Sequence, residues 1–582
     1  IELDEKSRYY NRISLIRLIV GIIGIIYTIL SFKNGINLIE GTVVTAIVGL
    51  FFMFVLIHIK IRSREKYLNS KREILEKYIS RIDGTWVEFE DVGEEAVDNN
   101  HGYTGDLDIF GNGSLFQLIN SSSTYIGRNT LINTLNGFWN IKDIKPKQLA
   151  VKEISSKLDF CVEIQTLGKL YKHEGKDPKQ LLEYAKSKTN IYSSKILKYL
   201  VYLLPVILIV SSFLAYITLS MFFLNIVFFT LIINIALNGY FLVKGYDGFS
   251  KVNPFRRDLK AYLEIIELIE DTQFEEKYLK DIKLQLTKNI KASSVIKKLE
   301  SIVNCIDIRY NAVAYFILNI IFLWDYQCVF ALEDFKKSFG IKIEGYLNAI
   351  GRIEEIVSLC VVDQVNPKAI LPNVDITDDT YIKGKDIGHP LITYNKRINN
   401  DITIDNEILV ITGSNMSGKT TFLRTVGINL VLAYSGAPVI ANEFSCSYMK
   451  ILTSMRITDN LEMGISTFYA ELIRIKSIIQ YGKDKNPMIF LIDEIFRGTN
   501  SQDRIIGAKN VLKSLAKPGI LGCISTHDFE LCNISDDKIK NYHFSEHYID
   551  GKILFDYKIK RGRSTTQNAK YLMKMVGINI EE

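Results

Sequence analysis

Residues 408–421 read ILVITGSNMSGKTT, and this stretch predicts the fold of the C-terminal part of the chain. Four apolar, β-prone residues lead to Gly413, and Gly418, Lys419 and Thr420 follow at the G-x-x-x-x-G-K-[ST] spacing of a phosphate-binding loop. In such a loop the glycines let backbone N–H groups turn towards a phosphate, the lysine adds positive charge and the hydroxyl binds Mg²⁺. A chance glycine-rich turn is the alternative. The spacing predicts that the chain binds a nucleoside triphosphate.

The residues around the two glycines complete the predicted loop, and a helix is expected to follow it. The set expected to contact the nucleotide is Gly413, Ser414, Asn415, Met416, Ser417, Gly418, Lys419, Thr420 and Thr421. Residues 422–435 have a helical pattern that ends at Gly436 and Pro438. The positive N-terminal end of this helix would then face the phosphates.

A pair of acids at the end of a second predicted strand supplies the other half of the site. Residues 487–492 are apolar and end in Asp493 and Glu494, some 75 residues after the loop. We expect Asp493 and Thr420 to hold Mg²⁺ and Glu494 to orient and deprotonate the attacking water. The alternative is a pair of strand-end carboxylates that cap the next helix.

A histidine at the end of a third predicted strand extends this set. Residues 519–525 are apolar, and Thr526 and His527 follow them. From a neighbouring carboxyl edge of the sheet, His527 could hydrogen-bond the γ-phosphate or the attacking water; a histidine with only structural contacts is the alternative. The predicted catalytic residues are therefore Glu494, His527 and Lys419, and the predicted cofactors are ATP and Mg²⁺.

Long apolar segments predict four membrane-spanning helices. Residues 14–32 are apolar except for Arg17, 41–59 carry no charge, and 199–243 carry none over 45 positions. Since a span needs about 20 apolar residues, the last segment is expected to hold two spans that turn near 218–220. The alternatives are a cleaved signal peptide for the first pair and apolar core helices of a soluble domain for the second.

Basic residues border both predicted hairpins on one side. They are Lys60, Arg62, Arg64, Lys66, Lys195, Lys198 and Lys244. The loop at 33–40 carries a single lysine, so the positive-inside rule places both termini and the C-terminal domain in the cytoplasm. Membrane lipid is accordingly a predicted partner.

The rest of the chain is charged and mainly helical up to about residue 366, where strands begin to alternate with helices. Residues 312–324 are apolar over only 13 positions and are interpreted as a buried core helix, not a fifth span. The helical segment 114–172 is expected to be interrupted near Gly137 and Pro146. A basic run over 280–298 indicates a solvated helix face or a contact with DNA or a membrane surface.

Composition excludes little. The net charge of +6 neither demands nor excludes a polyanionic partner. The seven cysteines form no C-x-x-C pair and no Cys/His cluster, which predicts free thiols and no zinc site.

Five motifs resemble those of the MutS family of DNA mismatch-repair proteins, relatives of the ABC-type ATPases. In chain order they are His389-Pro390, 412–420 (TGSNMSGKT, similar to T-G-P-N-M-x-G-K-S/T), 464–471 (GISTFYAE, similar to G-x-S-T-F-x-x-E), 493–500 (DEIFRGTN, similar to D-E-x-x-R-G-T-S) and 525–527 (STH, similar to A-T-H). In the family, the residue that matches Ser466 starts a helix facing the γ-phosphate bound by the other subunit. The resemblance thus implies a homodimer with composite sites; a helix cap without a partner is the alternative.

The resemblance also implies a DNA role, with departures. More weakly, residues 106–131 resemble the start of the family's core or lever domain, and residues 349–359 resemble the helix before its ATPase domain. A hairpin stands where the family's mismatch-reading and connector domains are expected. Phe274-Glu275-Glu276 fits the letters of the Phe-x-Glu reader but is expected in a charged helix.

The predicted architecture combines membrane hairpins, a helical core or lever domain and an α/β ATPase domain. Its segments are 1–60 (first hairpin), 61–198 (first part of the core), 199–244 (second hairpin), 245–365 (second part of the core) and 366–582 (ATPase domain). The predicted function is a membrane-anchored, dimeric ATPase that couples ATP hydrolysis to sensing of mismatched or damaged DNA. The alternatives are a membrane-remodelling or transporter-like machine and an ATP-gated membrane scaffold, both without DNA.

Overall fold

The computed structural model describes residues 2–34, 38–98, 100–171, 177–187, 195–377, 379–414, 416–456, 467–484, 486–496, 500–549 and 552–563. The chain divides into two compact units. Unit 1 comprises 1–78, 162–268 and 293–338, and unit 2 comprises 79–161, 269–292 and 339–582.

Helices dominate the described residues. They are α1 (Glu2–Asn34), α2 (Leu38–Asp83), α3 (Leu115–Ile119), α4 (Tyr125–Leu135), α5 (Ile141–Ser155), α6 (Leu158–Tyr171), α7 (Lys179–Lys186), α8 (Lys195–Thr218), α9 (Met221–Lys244), α10 (Asp247–Val252), α11 (Arg256–Asp271), α12 (Lys277–Thr287), α13 (Ala292–Ile306), α14 (Ala312–Phe322), α15 (Trp324–Val365), α16 (Lys419–Ser435), α17 (Thr467–Lys483) and α18 (Ser501–Leu515). Helices α2, α6, α11, α13 and α15 contribute residues to both units.

The strands all lie in unit 2. They are β1 (Ala369–Ile370), β2 (Asn373–Asp375), β3 (Tyr381–Ile387), β4 (Asn400–Asp405), β5 (Ile408–Thr412), β6 (Val439–Ile440), β7 (Glu443–Ser447), β8 (Lys450–Ser454), β9 (Met488–Asp493), β10 (Ile520–Thr526), β11 (Ile539–Ile549) and β12 (Lys552–Arg561). The main sheet has the order β12-β11-β5-β10-β9-β8, a second has the order β2-β7-β3-β4, and β1 pairs with β6.

The centre of the main sheet is parallel and buried on both faces. Strands β5, β9 and β10 are buried at every residue, as expected for the near-continuous apolar runs of a parallel sheet. In register, Ser525 of β10 lies beside Asp493 of β9, and Thr526 lies beside Thr412 of β5. The carboxyl ends of these three strands therefore meet at one edge of the sheet.

The helical part of unit 2 is joined by a close crossing of α4 and α15. A Cβ atom on Gly351 would lie 2.7 Å from the side chain of Ile126, so the two backbones approach as only glycine allows. One turn further along α15, the Glu354 carboxylate accepts the backbone N–H groups of Ser123 at 2.8 Å and Thr124 at 3.2 Å. These bonds satisfy donors at the start of α4 that have no intrahelical partner.

In unit 1, four helices expose apolar side chains along most of their length. The segments Arg8–Ser31, Ile39–Asp83, Ile196–Thr218 and Met221–Lys244 are long and apolar enough to cross a membrane. The predicted turn near residues 218–220 is confirmed: α8 ends at Thr218, and the Ser220 hydroxyl caps α9 by accepting the N–H of Phe222 at 3.3 Å. The second predicted span, residues 41–59, and the charged segment after it form one continuous helix, α2.

The interpretation of residues 312–324 as a buried core helix is wrong. Helix α14 exposes 70% of Val313, 63% of Phe316 and 52% of Ile317. The preceding helical segment Ala292–Tyr310 meets α14 at an angle of 111°. The length rule for membrane spans does not distinguish a short buried helix from a short helix that keeps an apolar face exposed.

Two smaller expectations also fail. Pro146 does not interrupt a helix but lies within α5, near its Asn140-capped start, where the ring removes a single hydrogen bond. Phe274-Glu275-Glu276 lies in the loop between α11 and α12, not in a helix. Phe274 is buried there against Phe160, and Glu153 accepts the backbone N–H groups of Glu275 and Glu276. Nothing in this setting offers Phe274 to a ligand.

Candidate active site

The loop between β5 and α16 turns tightly at its two glycines. Gly418 has φ 104°, a conformation that side chains rarely adopt. A Cβ atom on Gly413 would lie 2.9 Å from Ser417 Oγ and 3.0 Å from the Phe544 carbonyl oxygen. The Ser417 hydroxyl donates to the Ser414 carbonyl at 2.8 Å and closes the turn. Both glycines are therefore required by the backbone, whatever the loop binds.

The first residue of α16, Lys419, folds its ammonium group back against this loop. Its Nζ donates to the carbonyl oxygens of Gly413 and Ser414 at 2.9 Å each, and it lies 3.5 Å from Nε2 of His527. The side chain is buried. A buried cation thus stands at the N-terminal end of a helix, and both favour an anion.

A hydroxyl and a carboxylate meet beside the loop. Thr420 Oγ1 donates to Asp493 Oδ2 at 2.8 Å, and the other Asp493 oxygen accepts the Ser525 hydroxyl. These are hard oxygen ligands of the kind that Mg²⁺ prefers, and Mg²⁺ usually takes only one or two protein ligands together with water and substrate phosphates. The donor set fits that ion. Within the described residues, no cluster of three or more His, Cys, Asp or Glu side chains forms a metal site.

Glu494 and His527 form a second pair at the same edge. Nε2 of His527 lies 2.9 Å from Oε1 of Glu494, and the Glu494 backbone, at φ 54°, donates its N–H to the Ser525 carbonyl at 3.1 Å. The turn that follows is held by Glu471, a buried acid of α17 that accepts the N–H of Phe496. Glu494 is therefore aimed by strand β10 on one side and by α17 on the other.

A cavity of about 260 Å³ opens beside the loop. Its lining includes Gly418, Thr421, Phe422, Tyr557 and His389. Burial, aided by the guanidinium groups of Arg424 and Arg397, lowers the pKa of His389 to about 3. The imidazole is consequently neutral at physiological pH, and the lining of the cavity combines aromatic, aliphatic and hydroxyl side chains with one exposed cation, Lys396.

An acidic segment before α3 ties three elements of the site together. Asp106 accepts from the Thr453 hydroxyl of β8 at 2.7 Å and from Arg474 of α17 at 3.0 Å. Asp108 pairs with Arg424 of α16 at 3.0 Å. The helix that follows the loop is thereby coupled to the elements flanking residues 457–466.

The structure brings five predicted residues to one sheet edge in two groups: Thr420 with Asp493, and His527 with Glu494 and Lys419. The loop residues Gly413, Ser414, Met416, Ser417 and Gly418 precede them, and Thr421 faces the cavity. Asn415 and Ser466 lie outside the described residues.

Several contacts were not predicted. Ser525 binds Asp493, Glu546 accepts the Ser414 hydroxyl, and Tyr557 lines the cavity. Ser525 could have been identified from the strand-end pattern, because it directly precedes Thr526 and His527. Glu546 and Tyr557 come from the returning strands β11 and β12, and no local signal links them to the loop.

Fold and site together define an α/β protein whose parallel sheet presents a glycine loop, a lysine, a hydroxyl and two acids along one edge. Residues 409–579 match the family model of MutS domain V. The chain is 30% identical over 268 residues to a DNA mismatch repair protein MutS of Clostridium botulinum (strain Loch Maree / Type A3), a match covering 44% of this chain and 28% of that protein. It is 31% identical over 241 residues to the MutS of Methanococcoides burtonii, covering 39% and 27%.

Residues 409–579 are thus similar to domain V of MutS proteins. The chain spans little more than a quarter of the length of the curated relatives it matches.

Proposed function

We propose that this chain is an ATPase of the MutS family, anchored in a membrane by the four long apolar helices of unit 1. The observation that carries the ATPase assignment is the convergence of Lys419, the Thr420–Asp493 pair and the Glu494–His527 pair at one sheet edge. Such a set matches the needs of phosphoryl transfer, which depends on positioning and charge stabilisation.

The loop and the start of α16 would bind the triphosphate. Backbone N–H groups of the loop, the helix end and the Lys419 ammonium all favour the β- and γ-phosphate oxygens. Thr420 and Asp493 would hold Mg²⁺, which neutralises the phosphate charge when bound. Ser525 fixes the orientation of the Asp493 carboxylate.

Glu494 would act on the attacking water. Its carboxylate would accept a proton from the water as the new P–O bond forms and the bond from the γ-phosphorus to the β–γ bridging oxygen breaks, releasing ADP. General bases of this kind contribute about 10²–10⁴-fold to rates. His527, between Glu494 and Lys419, orients the carboxylate towards the γ-phosphate. The partly aromatic cavity beside the loop suits the nucleotide's base, with the exposed ring of Tyr557 available for stacking.

Membrane anchoring rests on length, composition and flanking charge. A soluble protein rarely leaves apolar surface of this extent exposed, whereas a hydrocarbon core about 30 Å thick accommodates helices of about 20 residues. The basic residues that follow the apolar half of α2 and those that flank the α8–α9 hairpin favour a cytoplasmic location for both termini and the ATPase domain.

We further propose that two copies form the site together, as the Ser466 motif implies. Mixing a Lys419→Ala chain with a Ser466→Ala chain tests this. In a mixed dimer one of the two composite sites carries both lesions and the other carries neither. Recovery of activity on mixing therefore supports shared sites, and activity equal to the mean of the two separate variants contradicts them.

ATP hydrolysis could be coupled to either of two partners, DNA or the membrane. The relatives are named for DNA mismatch repair, which favours DNA; the exposed apolar helices favour a membrane-directed machine. DNA binding by the protein in nanodiscs, with and without ATP, separates the two. Matched, mismatched and branched duplexes are compared at two salt concentrations, because backbone contacts are strongly salt-dependent.

A nucleotide-dependent preference for one DNA form supports a tethered DNA sensor. Absence of binding to all of them, with ATP hydrolysis intact, rejects the DNA role and favours the membrane-directed machine. A chain that hydrolyses no ATP under either condition rejects the ATPase proposal itself.

A further inference from the structure

Helix α14 is short, apolar and exposed, and it packs against the second candidate hairpin. Its exposed side chains Val313, Phe316 and Ile317 are large and apolar, and its only buried polar side chain is Asn319. Eleven residues rise about 16 Å, which is half of a hydrocarbon core about 30 Å thick. A helix of this length can enter one leaflet but cannot cross the bilayer.

The C-terminal end of α14 is held by amide side chains of α9. Asn234 Nδ2 donates to the Ile320 carbonyl at 2.7 Å, and Asn238 Nδ2 donates to the Asn319 carbonyl at 2.8 Å. The Phe322 carbonyl accepts from Gln327 at 2.7 Å. Carbonyls at a helix end have no intrahelical partner, and in hydrocarbon each would cost several kcal/mol if left unpaired.

The positions of those amides along α9 set their depth. Asn238 and Asn234 lie six and ten residues before Lys244, which is about 9 and 15 Å along the helix at 1.5 Å per residue. If α9 spans the membrane with Lys244 at the cytoplasmic surface, the end of α14 lies between the headgroups and the mid-plane.

The chain then returns towards Lys244. Leu323 adopts a left-handed conformation, φ 53°, that ends α14, and α15 begins at once. Tyr326 donates to the Leu237 carbonyl at 2.9 Å, and Glu333, two turns later, accepts the hydroxyl of Tyr246. Contacts thus advance along α15 and α9 in the same direction. At the other end of α14, Tyr310 receives a hydrogen bond at 2.9 Å from Asn253, beyond the end of α9.

From this geometry we propose that α14 and the first turns of α15 form a re-entrant element whose exposed face contacts the acyl chains of the cytoplasmic leaflet. The proposal rests on the proposed membrane anchoring. The single acid near the turn, Asp325, is buried and lies 3.0 Å from the Tyr315 hydroxyl and 3.4 Å from Arg309, as a charge inside a membrane requires. A fifth span made of α13 and α14 is disfavoured, since α13 exposes Lys297 and Lys298.

Because α15 is 42 residues long, starts in this element and supplies residues to both units, the polypeptide chain itself would connect the membrane-embedded start of α15 to the helical part of unit 2.

Nitroxide labels on the full-length protein in nanodiscs test the proposal. Labels at Phe316→Cys and Ile317→Cys report on α14. Phe228→Cys on α9 is the lipid-facing reference, and Leu284→Cys, an exposed position on α12, is the water-facing reference. The wild-type protein gives the labelling background, since six of its seven cysteines are buried. We expect the two α14 labels to match Phe228→Cys, with collisions with a water-soluble nickel complex several-fold rarer than at Leu284→Cys and collisions with oxygen more frequent.

The outcomes separate the two proposals. If Phe228→Cys is shielded from nickel while both α14 labels behave like Leu284→Cys, the re-entrant element is wrong and the anchoring stands. If Phe228→Cys is itself open to nickel, the anchoring fails and the re-entrant element fails with it. As a second variant, Asn234→Leu combined with Asn238→Leu should make the α14 labels more mobile; unchanged spectra would contradict docking of α14 on α9.

Discussion

The central strands of unit 2 and the long helices of unit 1 are built from the same apolar residues, yet their side chains meet opposite surroundings. Strand β5 is buried at all five positions, whereas α9 exposes more than half of Phe228, Phe229 and Ile235. The difference lies in length and partners. A five-residue run fits between neighbouring strands and the helices that cover both faces of a sheet. A 24-residue apolar helix offers more surface than its neighbours cover.

This contrast divides the predictions into two groups. Changes at the sheet edge should affect nucleotide chemistry and leave insertion intact, while changes on the exposed helices should do the reverse. Helix α14 falls between the classes, because it has the length of a core helix and the exposure of a membrane helix.

The largest effect is expected at Glu494. Glu494→Gln removes the base but keeps the size and hydrogen bonding of the side chain, so turnover should fall about 10²–10⁴-fold while ATP binding persists. Single-turnover hydrolysis and equilibrium ATP binding measure the two properties separately. Glu530→Gln, an exposed acid shortly after the same strand β10, serves as the matched control. Turnover that is unchanged in Glu494→Gln would reject this residue as the base.

Lys419→Ala should weaken ATP binding by about 100-fold, because loss of a buried charged partner costs about 3 kcal/mol. Titration with a fluorescent ATP analogue measures the change, with Lys513→Ala on the exposed face of α18 as control. Binding that is equal to wild type would show that the loop does not hold the phosphates.

Phe229→Asp should reduce membrane insertion on the order of 100-fold, since an acid near the centre of a span costs about 2.5–3.5 kcal/mol. Ile341→Asp replaces an even more exposed side chain, 85% against 63%, on the part of α15 that lies in unit 2. The inserted fraction after alkaline extraction compares the two. If both variants insert as well as wild type, the exposed apolar surface of α9 does not lie in the membrane.

Features of the fold and site that depend on neighbouring residues could be predicted from the sequence, whereas contacts between distant segments could not. The strand–loop–helix unit, the strand-end acids and the turn at 218–220 are local patterns, and the helix and strand bounds agree with them. The contact of Ser414 with Glu546 depends on the antiparallel return of β11 and β12, 132 residues away. No periodicity encodes sheet order.

The wrong prediction for α14 also arises from contacts between distant segments. The length rule applies to the 13 apolar positions 312–324 alone, whereas the exposure of α14 depends on Asn234 and Asn238 of α9, which bind its last carbonyls and hold it at the side of the hairpin. Pro146 illustrates the reverse case: residue type predicts an interruption, but the helix continues through the proline from Ile141 to Ser155.

The smallest predicted effect concerns the buried His389 beside the cavity. Its pKa is lowered to about 3, so between pH 6.5 and 3 the unfolded chain binds a proton that the folded chain does not. Its contribution is therefore fully present above about pH 6.5 and is lost as the pH falls, by roughly 2 kcal/mol at pH 5. His389→Asn, which can still accept the N–H of Leu391, should flatten the acid side of the stability profile by about this amount. Urea unfolding at pH 7 and pH 5 measures the free energy of unfolding at each pH. If the variant loses as much stability between the two pH values as wild type, groups other than His389 cause the acid sensitivity.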